Sequence, residues 1–254
     1  MQTRIWLCLF LTLAGASVAR ADNVTAVTEN AFPLSFERDG KVDGHATALV
    51  EETFRRAGFE YKIELYPWAR ALNMATNDPN VLIYSIARTP EREPQFKWVG
   101  EIMPIRYSLY KMRDRHDIVI KTLDDAKKYR IGILKDDTRA KYLAQHGFSE
   151  GLTQGLQEVT TNALNLRKLE SGRIDLVPLS RLGVAGLCKS EGFDCGQFEV
   201  AFDLDLPANY LYMAFSKTTP DAVVDKARNA YSALRKEGVV QKILGEYWPK
   251  DGVH

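Results

Sequence analysis

Over residues 24–84 the chain alternates short strand-like runs with segments of helical period. Residues 24–28 read as a strand. Residues 47–57 read as an amphipathic helix, with Ala48, Leu49, Thr53, Phe54 and Ala57 on one face and Gly58 at its end. Residues 61–65 alternate like a strand, 67–76 form a helix opened by proline, and 81–84 are a short apolar run that reads as a buried strand. Such alternation restricts the chain to an α/β architecture with a mainly parallel sheet. The pattern pauses at residues 106–112, which are extended and aromatic, and charged residues follow at 113–117. It then restarts, with helix near 123–128, strand 130–134, helices 138–146 and 161–171, and strand 175–178, and ends near Phe202. A second extended segment covers 209–215, and two strongly amphipathic helices, 221–237 and 239–247, close the chain. No repeat or low-complexity segment interrupts this order.

The start of the chain reads as an export signal. Met1-Gln2-Thr3-Arg4 is basic, residues 5–14 are apolar, and Ala19-Arg20-Ala21 is a small-x-small cleavage site. The apolar run is shorter than the roughly 20 residues that span a bilayer, and Cys8 lies inside it rather than after a lipoprotein-type cleavage site. A mature chain beginning near Asp22 in the periplasm, with no membrane insertion, is expected. Without residues 1–21, Lys plus Arg falls from 34 to 32 against 33 Asp plus Glu, a formal charge of −1. That balance offers no basic excess for nucleic acid. Cys188 and Cys195 are then the two remaining cysteines. A close, even pair in an oxidising compartment predicts a structural disulfide, and the spacing suits neither a redox pair nor a zinc site.

The stretch Tyr84 to Gly100 carries the most chemistry. The buried strand delivers Ser85 and then Thr89-Pro90-Glu91-Arg92. Threonine as N-cap, proline at the first position and glutamate in the first turn predict a short helix beginning at Thr89. Arg92 in that first turn opposes the helix dipole, so local stability does not account for it. A guanidinium beside the Ser85 hydroxyl and free backbone N–H groups makes a carboxylate site. The alternative is a solvated arginine paired with Glu91 or Glu93.

Ser85-Ile86-Ala87-Arg88-Thr89-Pro90-Glu91-Arg92, with Phe96 or Trp98 and then Pro104, resembles the signature of bacterial periplasmic solute-binding proteins of the polar amino acid class, family 3. The resemblance continues through Ala31-Phe32-Pro33-Leu34-Ser35-Phe36 with Gly40 and Gly44, through Tyr66-Pro67-Trp68-Ala69-Arg70-Ala71-Leu72, and through Gly172-Arg173-Ile174-Asp175. It ends with Gly238, Ile243-Leu244 and Tyr247-Trp248. It implies a two-lobed fold of type II, with two hinge crossings and a ligand cleft between the lobes. On that reading, residues 22–106 begin lobe one, 107–207 form lobe two with its flanking hinge segments, and 208–254 make the second crossing and return to lobe one. Arg92 would grip a ligand carboxylate, with Ser85 and Ala87 beside it. Phe32 would stack on the ligand, and Thr138, at the strand-to-helix turn with Asp137, would meet it from lobe two. Trp68 and Arg70 stand where a cleft-facing side chain is possible, and Glu29 is near enough in sequence to hold a cationic group.

One position departs from the family. An acid often lies five residues after the aspartate of the Gly-Arg-x-Asp turn and holds the ligand's ammonium; here that position is Ser180, followed by Arg181. Either Glu29, Asp136 or Asp137 substitutes, or the ligand is not an ordinary α-amino acid, and Arg181 permits a second anionic group on it. The implied partners are a small carboxylate-bearing solute and an ABC-type permease or a sensor, with the protein itself a monomer. The other class considered is an enzyme on the same scaffold, a cyclohexadienyl or arogenate dehydratase, for which Glu29 is the one candidate general acid.

No cofactor or metal is expected. His45, His116, His146 and His254 have no metal-ligand spacing, and no glycine-rich phosphate loop occurs. Gly147-Phe148-Ser149-Glu150-Gly151 matches the hydrolase elbow in letters only, because a helix rather than a buried strand is expected before it.

Overall fold

The computed structural model describes residues 22–151, 153–207 and 209–245. The expected export signal at 1–21, Tyr247, Trp248 and His254 lie outside the described residues. The chain runs β1 (Asn23–Thr28), β2 (Phe36–Arg38), β3 (Lys41–Asp43), α1 (His45–Ala57), β4 (Glu60–Leu65), α2 (Trp68–Asn77), β5 (Val81–Ala87), β6 (Phe96–Pro104) and β7 (Tyr107–Met112). It continues through β8 (Arg130–Leu134), α3 (Thr138–Gln145), β9 (Gly155–Val159), α4 (Asn162–Glu170), β10 (Val177–Ser180), α5 (Arg181–Glu191) and β11 (Phe198–Leu204). It closes with β12 (Tyr210–Ser216), α6 (Asp221–Lys236) and α7 (Val239–Gly245).

These elements build a two-lobed α/β protein. One lobe holds a five-stranded sheet of order β4-β1-β5-β12-β6, and the other holds the sheet β10-β7-β11 and the pair β8-β9. The sheets are mixed rather than mainly parallel. Pairs β1–β4, β1–β5 and β8–β9 are parallel, while β12 is antiparallel to both β5 and β6, and β7 to both β10 and β11. The two passages between the lobes lie side by side, the Ile105 N–H donating to the Asn209 carbonyl at 2.8 Å.

The first lobe has a core on each face of its sheet. Phe54, Leu82, Tyr84 and Phe215 pack under α1 and α6, and Val27, Ile83, Ile86 and Ala214 pack under α2. Gly58 ends α1 in a left-handed conformation, as its position after the amphipathic run predicts. In the second lobe the Asp175 carboxylate accepts from the Arg130 backbone and guanidinium and from Arg115, which holds its pKa down at about 2 against the cost of burial.

Several expectations change. No α-helix begins at Thr89: residues 90–92 form a turn, and a single 3-10 turn covers Glu93–Gln95. Pro94 explains this, since it lacks the N–H a longer helix needs. The 123–128 segment is 3-10 rather than α-helix, started by a reciprocal Thr122–Asp125 capping box. Strands β6, β9 and β11 and helix α5 carry no expectation from the sequence pattern, and β11 takes the second unit past Phe202 to Leu204.

Candidate functional site

β5 stays in register until Tyr84, whose hydroxyl bonds Thr47 Oγ1 at 2.9 Å and whose carbonyl accepts from Thr28 Oγ1 at 3.0 Å. At Ser85 the backbone turns left-handed, with φ 58°. Opposite it the ladder to β12 slips: Tyr84 faces Met213 and Ile86 faces Tyr212, which leaves Ser85 as the extra residue of a bulge. Non-glycine residues take this conformation at a cost, and such strain concentrates at functional sites. Ser85 lines the cleft between the lobes, and its buried hydroxyl has no hydrogen-bond partner among the described residues. An unmet buried hydroxyl costs about 1–3 kcal/mol.

Arg92 is only 3% exposed. Its Nη1 donates to the Ala87 carbonyl at 3.2 Å, and its Nη2 reaches the Asp136 carbonyl, on the segment between β8 and α3, at 3.4 Å. Trp68 Nε1 donates to the same carbonyl at 3.2 Å, and the guanidinium lies 5.3 Å over the Trp68 ring. Burial holds the Arg92 pKa below the ordinary arginine value. Asp136 offers that carbonyl from a left-handed residue, φ 59°, and two positions on the Thr138 hydroxyl is buried without a partner among the described residues. Arg92 therefore sits behind the cleft rather than in its lining, and it ties the segment carrying Ser85 to the turn carrying Thr138.

The cleft has a volume of about 670 Å³, open space at its mouth included. Glu29, Phe32, Ser85 and Ser180 line it, as do Tyr107 and Arg139. Arg139 opens α3. It is gripped by the buried Asp137, which caps the same helix: Nε to Oδ1 at 2.6 Å, Nη2 to Oδ2 at 2.9 Å and the backbone N–H to Oδ1 at 2.7 Å. Its Nη1 donates to the Pro178 carbonyl at 2.8 Å, and its charge lies 5.1 Å over the Tyr107 ring. Burial works against both charges of the pair, but each partner outweighs it, so Asp137 stays ionised and Arg139 stays protonated. Glu29 is half-buried, and desolvation pushes its pKa up to about 7, with Arg139 pulling it down and Asp137 pushing it up.

Among the three acids proposed to replace a missing one at Ser180, Glu29 alone lines the cleft. Asp136 is exposed, and Asp137 is committed to Arg139. Ser180 caps α5, accepting from the Gly183 N–H at 2.9 Å. Of the expected contacts, Ala87, Trp68, Arg92, Asp137 and Thr138 lie outside this lining, and two others are exposed. Arg70 is exposed, its guanidinium stacked 4.2 Å over Tyr66, because Pro67 starts α2 with that position facing solvent. Arg181 is likewise exposed, on the solvent side of the first turn of α5. Phe32 lies in the cleft wall with Lys189 Nζ 5.3 Å over its ring. Cys188 and Cys195 are disulfide-bonded with Cα atoms 5.6 Å apart, pinning the end of α5 to the turn before β11. Arg139 and Tyr107, with Asn30, Asn162, Leu182 and Leu187, are lining residues that the sequence argument missed. Arg139 carried a usable signal, since a cation in a helix's first turn opposes the helix dipole.

Comparison with known proteins adds to this geometry. The model of the bacterial extracellular solute-binding proteins, family 3, matches residues 24–250. A probable amino-acid-binding protein of Bacillus subtilis, YxeM, is 22% identical over 236 residues, 91% of this chain and 86% of that protein. Among solved structures, the arginine-, lysine-, histidine-binding protein ArtJ of Geobacillus stearothermophilus superposes with a TM-score of 0.75 at 17% identity, covering 90% of this chain and 97% of that one. A histidine kinase sensor domain with similarity to periplasmic binding proteins gives a TM-score of 0.77 at 16% identity, covering 89% and 95%. At these identities the structural matches establish the fold alone.

Proposed function

Because the chain belongs to the bacterial extracellular solute-binding proteins of family 3, we propose that it captures a small, amino acid-like carboxylate between its lobes in the periplasm and hands it to an ABC-type importer or a sensor. The observation that carries this reading is the pair of buried hydroxyls without partners, Ser85 and Thr138, on the two segments that Arg92 bridges. A carboxylate entering between them accepts from both hydroxyls and from the Arg92 fork, which exchanges a long bond to the Asp136 carbonyl for a charge-assisted one. Glu29, facing Arg139 and Tyr107 across the cleft, receives the ammonium that Ser180 is unable to hold. Closure follows from contacts to both lobes, as a shift in population toward the shut form about the two crossings.

A thermal-shift screen of the L-amino acids tests this reading. A ligand at about 100 times its Kd stabilises the fold by about 2.7 kcal/mol, and the Arg92→Ala variant is expected to lose that gain. A screen in which no amino acid shifts the wild-type melting point overturns it.

A further inference from the structure

The polar capacity of the cleft limits what the rest of the ligand can be. Among the described residues lining it, Glu29 is the only carboxylate, and Arg139 is the only fixed cation. Arg139 is neutralised by its bidentate pair with Asp137. Once Glu29 holds an α-ammonium and Arg92 an α-carboxylate, no acid of the lining remains for a cationic side chain, and Lys189 stands over the Phe32 ring outside the lining rather than in it. The remaining wall carries only neutral polar groups, the Asn30 and Asn162 amides and the Ser180 and Tyr107 hydroxyls, and is otherwise aliphatic and aromatic. Leu182 and Leu187 project from α5 of the second lobe, and Leu34, Ile105 and Leu211 line the cleft from the first lobe and its crossing. Leu182 also packs against the first lobe's core cluster.

Resting on the amino acid reading above, we propose that the ligand's side chain is bulky and apolar, branched aliphatic or aromatic, and that α5 is the element that selects it. An arginine-like side chain would find only neutral groups, the Asn30 and Asn162 amides, to meet its guanidinium among leucines, and desolvating a charge without an opposite charge is far more costly than leaving apolar surface in place. A leucine- or phenylalanine-sized side chain covers the aliphatic wall instead. Burial of that size is worth roughly 10- to 150-fold in affinity over alanine. Helix α5 suits this task because its first turn is anchored by the Ser180 cap and its last by the disulfide, so Leu182 and Leu187 are held in place between two fixed ends.

The test is isothermal titration of the wild-type protein with L-leucine, L-phenylalanine, L-alanine, L-arginine and L-glutamate. The expected result is that leucine or phenylalanine binds at least tenfold more tightly than the other three. Arginine or glutamate binding as tightly or more tightly overturns the apolar assignment while leaving the amino acid reading intact. No heat from any of the five removes the amino acid reading and this inference with it. In the Leu182→Asp variant, a new acid in the apolar wall is expected to weaken the preferred ligand by at least tenfold and to raise the relative affinity for arginine. An unchanged order of affinities in a folded Leu182→Asp protein overturns the role given to α5.

Discussion

Gly186 of α5 and Phe32 of the first lobe meet so closely that a Cβ on the glycine would overlap the phenylalanine's carbonyl oxygen. The glycine's φ is not left-handed, so the requirement is space rather than backbone freedom. Helix α5 can approach the first lobe this far only because position 186 has no side chain. The contact lies beside Leu182 and Leu187, so whatever sets this distance also sets the width of the cleft.

Gly186→Ala is therefore expected to hold the lobes apart. Overpacking at a tight contact costs about 1–3 kcal/mol, which corresponds to about 5- to 150-fold in ligand affinity. Small-angle scattering with saturating ligand should give a larger radius of gyration than for wild type. An unchanged radius and affinity would show that closure does not bring these two residues together.

Arg92 and Arg88 separate the carboxylate anchor from its neighbour. Arg88 is exposed, paired bidentately with Glu93 at 2.6 and 2.7 Å, and stacked near Trp98 and Tyr212. Arg92→Ala should cost about 2–5 kcal/mol in binding, roughly 30- to several-thousand-fold. Arg92→Lys should recover part of it, because a point charge does not reproduce the fork. Arg88→Ala should change affinity by less than threefold, within the range of an exposed ion pair at about 0–1 kcal/mol. Calorimetry on the three variants decides, and a reversed order moves the anchor to Arg88.

How far the site was legible in the sequence follows from what each residue depends on. Helix α1 and strand β5 announce themselves through spacing, because Leu49, Phe54, Leu82 and Ile83 must all face one lobe's two cores. Gly58 marks a cap by its own chemistry. The bulge at Ser85 leaves no such trace, since it exists only as a register slip against β12, a strand more than a hundred residues away. Strand β6 was hidden for the same reason: its aromatic and charged residues make sense only once β12 lies beside it. Helix α5 was missed because Gly183 and Gly186 weaken its helical pattern, and the second of these answers to a contact with the other lobe.

The disulfide closes a short loop, with the cysteines seven positions apart. Loop-closure entropy for that length amounts to about 2–3 kcal/mol, or roughly 5–10 °C in melting temperature for a chain of this size. Exported protein beginning at Asp22 should show no reactive thiol when denatured without reductant. Reduction, or Cys188→Ser with Cys195→Ser, should lower the melting point by that amount. Two thiols per chain in the unreduced sample would contradict the bridge.

Glu29 and His45 should pull stability in opposite directions with pH. The Glu29 pKa rises from an ordinary 4.5 to about 7 on folding, because burial disfavours its charge. Between those values the folded state holds more protons than the unfolded one, so this contribution falls as pH rises. His45 is pushed from 6.5 down to about 4, again by burial, with Asp43 opposing. Here the unfolded state holds more protons, so this contribution falls as pH drops from 6.5 to 4. Across the shared window the two slopes offset each other in the wild type. Glu29→Gln should expose the His45 slope, giving a protein whose denaturation midpoint climbs steadily from pH 4.5 to 6.5 and exceeds wild type at pH 8. Ligand binding reads the same proton from the other side. An ammonium needs Glu29 ionised, beside Arg139, Asp137 and Tyr107, so below about pH 7 binding must first release a proton. Wild-type affinity should then fall up to about tenfold per pH unit between 7 and 5, and that dependence should vanish in Glu29→Gln. Titration calorimetry at several pH values measures it directly; a wild-type affinity that is flat over this range would mean that Glu29 does not meet the ligand's ammonium.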